Sequence, residues 1–228
     1  HPYLNSTSRL YNPEFNLNCE FGGRFSLNKI KLNFAIFMMQ RTDLQVQISS
    51  QQIEGDPNSF IYYTSNASSG YNKGFELETS YSIFQNLNFN YSFGYLKTHI
   101  EEFTYPYQDE IITTGNREQA MSPKFNSSLD LNYIHTSGFF INSNITSKDS
   151  YYFSDSHNEK SKPYSLLNIN LGYKKENFII SIWSKNLTDQ RYAIRGFYFG
   201  LEPPNYKDKL YLSYGNPKEI GIKLNYQF

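Results

Sequence analysis

The chain has 228 residues, with 21 basic and 21 acidic side chains that cancel to a formal net charge of zero, and its mean hydropathy is −0.61. The balanced charge argues against nucleic acid as a partner, and no apolar run approaches the roughly 18 residues that a transmembrane helix requires. A single cysteine, Cys19, excludes an internal disulfide and matches no metal-site spacing.

Alternation of apolar and polar side chains with a period of two predicts about nine antiparallel strands and no helix. The pattern is strictest in the last strand, where Ile220, Ile222, Leu224, Tyr226 and Phe228 alternate with small or polar residues. The predicted strands are Glu14–Arg24, Lys29–Ser49, Phe60–Ser82, a strand starting at Leu87, Phe125–Tyr133, Phe139–Thr146, Ser165–Tyr173, Phe178–Arg195 and Pro217–Phe228.

Apolar residues of the second predicted strand occupy even positions from Ile30 to Met38, and Leu44, Val46 and Ile48 keep the same parity. A strand of a membrane barrel has one lipid-facing row and one lumen-facing row. We therefore expect all of these side chains to lie on one lipid-facing row.

Several carboxylates stand on the opposite parity, where they avoid the energetic cost of facing hydrocarbon. We expect them to point into a lumen that is wet or filled by polar protein. These carboxylates are Glu14, Glu20, Glu76, Glu78 and Asp130.

Short and long connections alternate along the chain, as in outer-membrane barrels with short periplasmic turns and long extracellular loops. The 18% aromatic content alone would also fit a tyrosine-rich soluble β protein, but a soluble sandwich has no physical reason to place every long loop at one end. The short connections are Phe25–Asn28, Phe84–Asn86, His135–Gly138 and Lys174–Asn177, and the long ones are Gln51–Ser59, Glu101–Ala120, Tyr151–Pro163 and Gly196–Asn216.

Five segments carry a recognisable family pattern. They are Asn12-Pro13-Glu14 leading into Glu20-Phe21-Gly22, Gly74-Phe75-Glu76-Leu77-Glu78, Ser122-Pro123-Lys124-Phe125 followed by Leu129-Asp130-Leu131-Asn132-Tyr133, Asn186-Leu187-Thr188-Asp189-Gln190-Arg191-Tyr192, and Gly215-Asn216-Pro217-Lys218-Glu219-Ile220-Gly221 with terminal Phe228. In this order they resemble the C-terminal part of the TonB-dependent outer-membrane receptors. Lys218 departs from the pattern, because arginine is usual at that position.

This resemblance implies an all-β antiparallel transmembrane barrel of about 22 strands, of which residues 1–228 would be the C-terminal portion. The earlier strands, the plug inside the lumen and the segment that contacts the TonB complex would lie outside this chain. We expect an export signal upstream of His1, because the chain starts without a signal peptide.

The resemblance also implies a function. It implies a receptor in the bacterial outer membrane, in contact with lipid and lipopolysaccharide, that takes up a scarce small molecule with energy supplied through TonB. The nutrient would be a ferric siderophore, haem, cobalamin or a glycan. A passive porin-like channel is the alternative.

The two longest loops contain the candidate ligand contacts. Their aromatic rings and cations suit an aromatic iron chelate or a sugar, although the same rings would also serve as a cap on the barrel rim. The candidates are Tyr105, Tyr107, Arg117, Arg195, Tyr198 and Tyr206.

Catalysis and metal binding have little support in the sequence, so we expect no enzymatic activity, no cofactor and no resident metal. The chain has no HExxH pair, no GxSxG elbow and no phosphate-binding glycine loop. A metal at His99 with Glu101 and Glu102 is disfavoured against a solvated loop rim. An outer-membrane hydrolase stays as a further alternative, because sequence does not reveal a spatial Ser/His/Asp arrangement.

The C-terminal row of Leu224, Tyr226 and Phe228 resembles the signal that the barrel insertion machinery reads in outer-membrane proteins. We expect these residues to act in assembly rather than in ligand binding.

Overall fold

The structure is a computed structural model that describes residues 10–108 and 110–228, and His1 therefore lies outside the described residues. Within those ranges no helix is long and apolar enough to cross a membrane. A short 3-10 helix spans Pro57–Ser59. The strands are β1 (Phe15–Leu27), β2 (Ile30–Gln51), β3 (Phe60–Phe84), β4 (Leu87–Ile100), β5 (Phe103–Tyr107), β6 (Glu110–Thr114), β7 (Phe125–Ile134), β8 (Phe139–Lys148), β9 (Tyr164–Lys175), β10 (Phe178–Lys185), β11 (Ala193–Phe199), β12 (Lys209–Tyr214) and β13 (Glu219–Tyr226).

Nine of these strands form one antiparallel sheet in the order β1-β2-β3-β4-β7-β8-β9-β10-β13. Each strand pairs with its neighbour along this sheet, and each of the nine predicted segments contributes one strand to it. In the described part of the chain, β1 and β13 do not pair with each other. The sheet is therefore an open section of a barrel wall, not a closed barrel.

One face of the sheet is apolar and exposed. Phe21 pairs with Ile36, Ile36 with Phe75, and Phe75 with Tyr95, so a continuous apolar row crosses four strands. The row resumes at the other edge, where Ile222 of β13 is 74% exposed opposite Ile182 of β10. Within the described residues no other element covers this row, as expected of a surface that faces lipid. This surface is called the apolar face below.

The opposite face is polar and carries a ladder of side-chain amides. Asn144 Nδ2 donates to Asp130 Oδ1 at 2.8 Å, and Asn144 Oδ1 accepts from Asn168 Nδ2 at 3.0 Å. A parallel row links Asn142 Nδ2 to Asn132 Oδ1 at 2.7 Å. Cross-strand partners therefore satisfy many of the polar groups on this face, although Asn72 Oδ1 and Asn170 Oδ1 are buried without a partner in the described chain.

The prediction of a single lipid-facing row along β2 is wrong for the residues that follow Asp43. Asp43 has φ +52, which breaks the alternation. Leu44, Val46 and Ile48 are at most 2% exposed and pack with Ile100 in a small core. They therefore turn into protein instead of lipid.

The predicted strand Phe178–Arg195 is also two elements. β10 ends at Lys185, and Asn186 at φ +46 starts a turn. The Asn186 Oδ1 accepts from Gln190 N at 2.9 Å, while its Nδ2 donates to Gln190 O at 3.0 Å and Asn216 O at 3.1 Å. An Asn side chain that bonds nearby backbone in this way competes with the ladder and stops the strand.

Candidate functional site

Two hairpins occupy regions predicted mainly as loops. The first lies within the predicted loop Glu101–Ala120, and the second begins at the end of the predicted strand Phe178–Arg195 and continues into the predicted loop Gly196–Asn216. β5 pairs with β6, and β11 pairs with β12, each as a separate two-stranded sheet. Both hairpins lie at the long-connection end of the nine-stranded sheet. Together with the segment between β8 and β9 they line a cavity of about 550 Å³.

The first hairpin is anchored to the sheet by apolar burial. Phe103 and Tyr105 are each 6% exposed and pack in the core formed by Leu44, Val46 and Ile100. The Tyr105 hydroxyl donates to the Ser156 carbonyl at 2.5 Å. This bond ties β5 to the segment between β8 and β9, so the cavity wall is held from two sides.

Arg117 supports the cavity from behind instead of lining it. Its Nη2 donates to the carbonyls of Ser154, Asp155 and His157 at 3.0, 2.9 and 3.1 Å. The guanidinium carbon lies 3.9 Å from the centroid of the Tyr152 ring. Burial lowers the Arg117 pKa, with the charge of Asp155 opposing the shift. These contacts make Arg117 a clamp on the segment between β8 and β9.

A half-buried carboxylate faces the cavity. Asp208 lines it, and the Tyr107 hydroxyl donates to Asp208 Oδ2 across 3.5 Å. Asp208 Oδ1 is buried and has no hydrogen-bond partner among the described protein atoms. Burial raises the pKa of this carboxyl, and the Tyr107 hydroxyl partly opposes the shift. The cavity wall therefore contains a carboxylate with one buried and unsatisfied oxygen.

Aromatic rings and a cation complete the lining. Tyr198 sits edge-on to His157, with ring centroids 5.2 Å apart, and its hydroxyl donates to Glu159 Oε1 at 3.3 Å. Burial lowers the His157 pKa, and the charge of Glu159 opposes that shift. Arg195 is exposed at the cavity and forms no ion pair within the described chain.

Four of the six candidate contacts meet in this cavity, namely Tyr105, Tyr107, Arg195 and Tyr198. Tyr206 does not line it, and its carbonyl accepts from Gln51 Nε2 at 2.9 Å. Sequence reasoning missed His157, Asp208 and Phe153. None stands in a motif, and only the tertiary contacts of the loops bring them to one place.

The other proposed sites are placed as follows. His99 stacks on Tyr71 on the apolar face, with ring centroids 5.5 Å apart. No group of three or more His, Cys, Asp or Glu side chains in residues 10–108 and 110–228 is arranged to hold a metal ion. At the C-terminus, Leu224 pairs with Ile180 and Tyr226 with Phe178, while Phe228 packs edge-to-face on Tyr226 at 5.1 Å.

A comparison with known protein families shows which family the chain belongs to. The profile described as TonB dependent receptor-like, beta-barrel matches residues 2–187. The chain belongs to this family. Its homologues are β-barrel proteins of the outer membrane, in agreement with the exposed apolar face and the opposite polar face of this sheet.

Solved structures of receptors share the fold. The ferric yersiniabactin uptake receptor FyuA from Yersinia pestis matches 94% of this chain and 30% of its own, with a TM-score of 0.70 at 18% identity. The siderophore receptor PiuA from Acinetobacter baumannii matches 98% of this chain and 30% of its own, with a TM-score of 0.74 at 17% identity. The copper transporter OprC matches 96% and 32%, with a TM-score of 0.68 at 15% identity. The chain thus spans about a third of the length of these proteins.

Proposed function

We propose that this chain is the C-terminal portion of an outer-membrane receptor that binds a scarce nutrient at its extracellular loops and imports it with energy from TonB. A plug, the earlier strands and the TonB-contacting segment would complete the protein outside this chain. The observation that carries the proposal is the membership of a TonB-dependent receptor family together with a ligand-sized cavity at the long-loop end.

The lining of the cavity supports a ferric siderophore as the first candidate. Tyr105, Tyr107 and Tyr198 supply aromatic surface, and Arg195 supplies an unpaired cation for a chelate that carries negative charge. FyuA and PiuA, which share the fold, are siderophore receptors. Haem, cobalamin and glycans are the other nutrients that such a receptor would take.

Uptake in a strain that lacks the full-length receptor tests the proposal. The strain and its complemented parent are grown on a single iron, cobalamin or glycan source, with labelled substrate used to measure the initial uptake rate. We expect one substrate to lose most of its uptake in the deletion strain and to recover on complementation. Unimpaired growth and uptake on every source would overturn the proposal that the protein is an importer.

A passive porin-like channel and an outer-membrane hydrolase are the competing functions. Removal of TonB or collapse of the proton gradient distinguishes the receptor from a porin-like channel. Transport through an energised receptor stops under these conditions, whereas transport through an open channel continues. Recovery of chemically unaltered substrate inside the cell distinguishes the receptor from an outer-membrane hydrolase. We expect energy-dependent uptake of an intact substrate.

A further inference from the structure

Two lysines lie directly opposite each other on the apolar face. Lys73 of β3 pairs with Lys97 of β4, and both side chains are exposed. Like charges in directly opposed positions destabilise a strand pair. Neither ammonium group forms an ion pair within the described chain, and Lys73 Nζ is 5.1 Å from the centroid of the Tyr71 ring.

The surrounding wall carries no carboxylate on the face of the lysine pair. On the parity that faces outward, residues 15–27, 30–42, 71–83 and 87–99 of the first four strands contain no Asp or Glu. Glu76 and Glu78, the nearest carboxylates along β3, stand on the opposite parity and line cavities of the polar face. Glu76 also contributes to the lining of the groove beside the lysines, but it forms no ion pair with either of them within the described chain. Within the described residues the lysine pair therefore has no anionic partner.

An apolar groove runs beside the lysine pair. It has a volume of about 590 Å³, and Ile36, Met38 and Leu77 contribute to its lining. Phe75 and Tyr95 stack across the strands in the same groove, with ring centroids 5.8 Å apart. A groove of this chemistry fits hydrocarbon chains, so an anion that binds the lysines would belong to a lipid.

The position along β3 indicates which leaflet supplies that lipid. Lys73 precedes Phe84, at the short-turn end of β3, by 11 residues. At a rise of about 3.3 Å per residue and a strand tilt of about 40°, this separation is roughly 28 Å along the barrel axis. The lipid-facing band of such barrels is about 25 Å tall. The lysine pair therefore lies at the headgroup level of the outer leaflet.

We propose that Lys73 and Lys97 bind a phosphate monoester of lipid A, the lipid part of lipopolysaccharide, with an acyl chain in the adjacent groove. A phosphate monoester carries a charge of about −1.5 to −2 at neutral pH, which matches two ammonium groups, whereas a phospholipid diester carries a single charge. The inference rests on the proposed outer-membrane location, and it concerns a surface that the uptake function does not use.

Native mass spectrometry of the full-length receptor, extracted from outer membranes in mild detergent, tests the proposal. The variant K73Q/K97Q is compared with K31Q/K223Q, which removes the same charge from the polar face. Lys73→Arg with Lys97→Arg keeps both charges. We expect K73Q/K97Q to lose bound lipid A by about tenfold or more, because charge-assisted hydrogen bonds are the strong ones, and the other two variants to retain it.

Reconstitution of each delipidated receptor with lipid A, with dephosphorylated lipid A or with phosphatidylglycerol distinguishes the lipid sources. Selective binding of phosphorylated lipid A by the wild type and the arginine variant supports the proposal. Equal binding of phosphatidylglycerol, or retention of lipid A by K73Q/K97Q, overturns it while leaving the uptake function intact. Wild-type receptor found outside the outer-membrane fraction would overturn both. Resistance of each variant to unfolding in cold SDS verifies that the barrel has formed.

Discussion

Asp189 Oδ1 accepts a hydrogen bond from the backbone N–H of Lys218 at 2.9 Å, although the two residues are 29 positions apart in the chain. This bond joins the turn after β10 to the residue just before β13. The Asn186 amide reaches the Asn216 carbonyl in the same region at 3.1 Å. The turn therefore positions the last strand of the sheet, and the Asn-Leu-Thr-Asp sequence serves as a connection between strands.

Replacement of Asn186 by alanine should destabilise the barrel wall by about 2–4 kcal/mol, because several backbone groups lose partners and alanine tolerates positive φ poorly. Asn186 is only 4% exposed, so water would not replace the lost bonds. Samples are heated to increasing temperatures and then run on SDS gels. The temperature at which the band of the folded form disappears measures the effect. Gln190→Ala, which keeps the backbone bonds of the turn, is the control and should behave as wild type.

Gly215→Ala should destabilise the folded protein through a clash with a neighbouring ring. An added Cβ would lie 2.0 Å from Cζ of Tyr192, and the ring is held by Tyr164 at a centroid distance of 4.5 Å. Overpacking of this kind costs about 1–3 kcal/mol. Outer-membrane levels of folded receptor measure the loss. Gly94→Ala, where a Cβ meets nothing within 4 Å, should be tolerated.

A second substitution distinguishes this clash from a general intolerance of side chains at position 215. Tyr192→Ala combined with Gly215→Ala removes the ring that the new Cβ meets. We expect the double variant to fold better than Gly215→Ala alone. A double variant that folds worse than either single variant would contradict the steric explanation.

Arg195→Gln should weaken ligand binding by about tenfold, since it removes the unpaired cation of the cavity and a hydrogen bond to a charged group contributes about 1.5–3 kcal/mol. Titration of the full-length receptor with its substrate measures the change in Kd. Lys207→Gln is the matched control, because Lys207 pairs with Glu54 at 3.0 Å on an exposed surface. Equal losses in the two variants would place the ligand elsewhere.

Asp208→Asn should stabilise the loops at neutral pH. Burial raises the pKa of Asp208 above its ordinary value of 3.8, so ionisation costs more in the folded state than in the unfolded one. This cost is absent below about pH 3.8, where both states are protonated, and grows as the pH rises towards the folded-state pKa. The amides of the variant should therefore be better protected from hydrogen exchange than those of the wild type at neutral pH, and this advantage should disappear in acid.

Hydrogen exchange of the segment around β12, followed in the absence of ligand from about pH 4 to pH 7, measures this difference. Glu202→Gln is a suitable control, because its carboxylate is exposed and lies 3.9 Å from Lys209 at the surface. A constant difference between Asp208→Asn and wild type across the pH range would contradict the role of burial.

Phe228→Ala should lower the amount of folded receptor in the outer membrane more than Gln227→Ala does. Phe228 lies past the end of β13 and is fully exposed, so its ring contributes little packing to the wall. The backbone N–H of Gln227, which donates to the Asn177 carbonyl at 3.0 Å, is kept in the control. Equal levels of the two variants would make Phe228 an ordinary terminal residue.

The wall was predictable from sequence because lipid and a polar interior impose opposite preferences on alternate residues, and the pattern persists for many positions. The cavity was only partly predictable. Tyr107 and Tyr198 belong to loops whose aromatic content was visible, but Asp208 and His157 are isolated polar residues about 50 positions apart. The β5–β6 hairpin was missed since β5 contains Pro106, a residue that usually argues against a strand.

The break at Asp43 divides the receptor into two regions with different solvents. Below it, β2 directs its apolar side chains out of the protein, and the wall depends on the lipid or detergent around it. Above it, the same strand directs Leu44, Val46 and Ile48 into a core covered by Phe103, as in a water-soluble domain. A denaturant that acts through water will therefore unfold this core beneath the loops first, while a change of detergent will destabilise the wall. One strand spans two regions whose unfolding has separate causes.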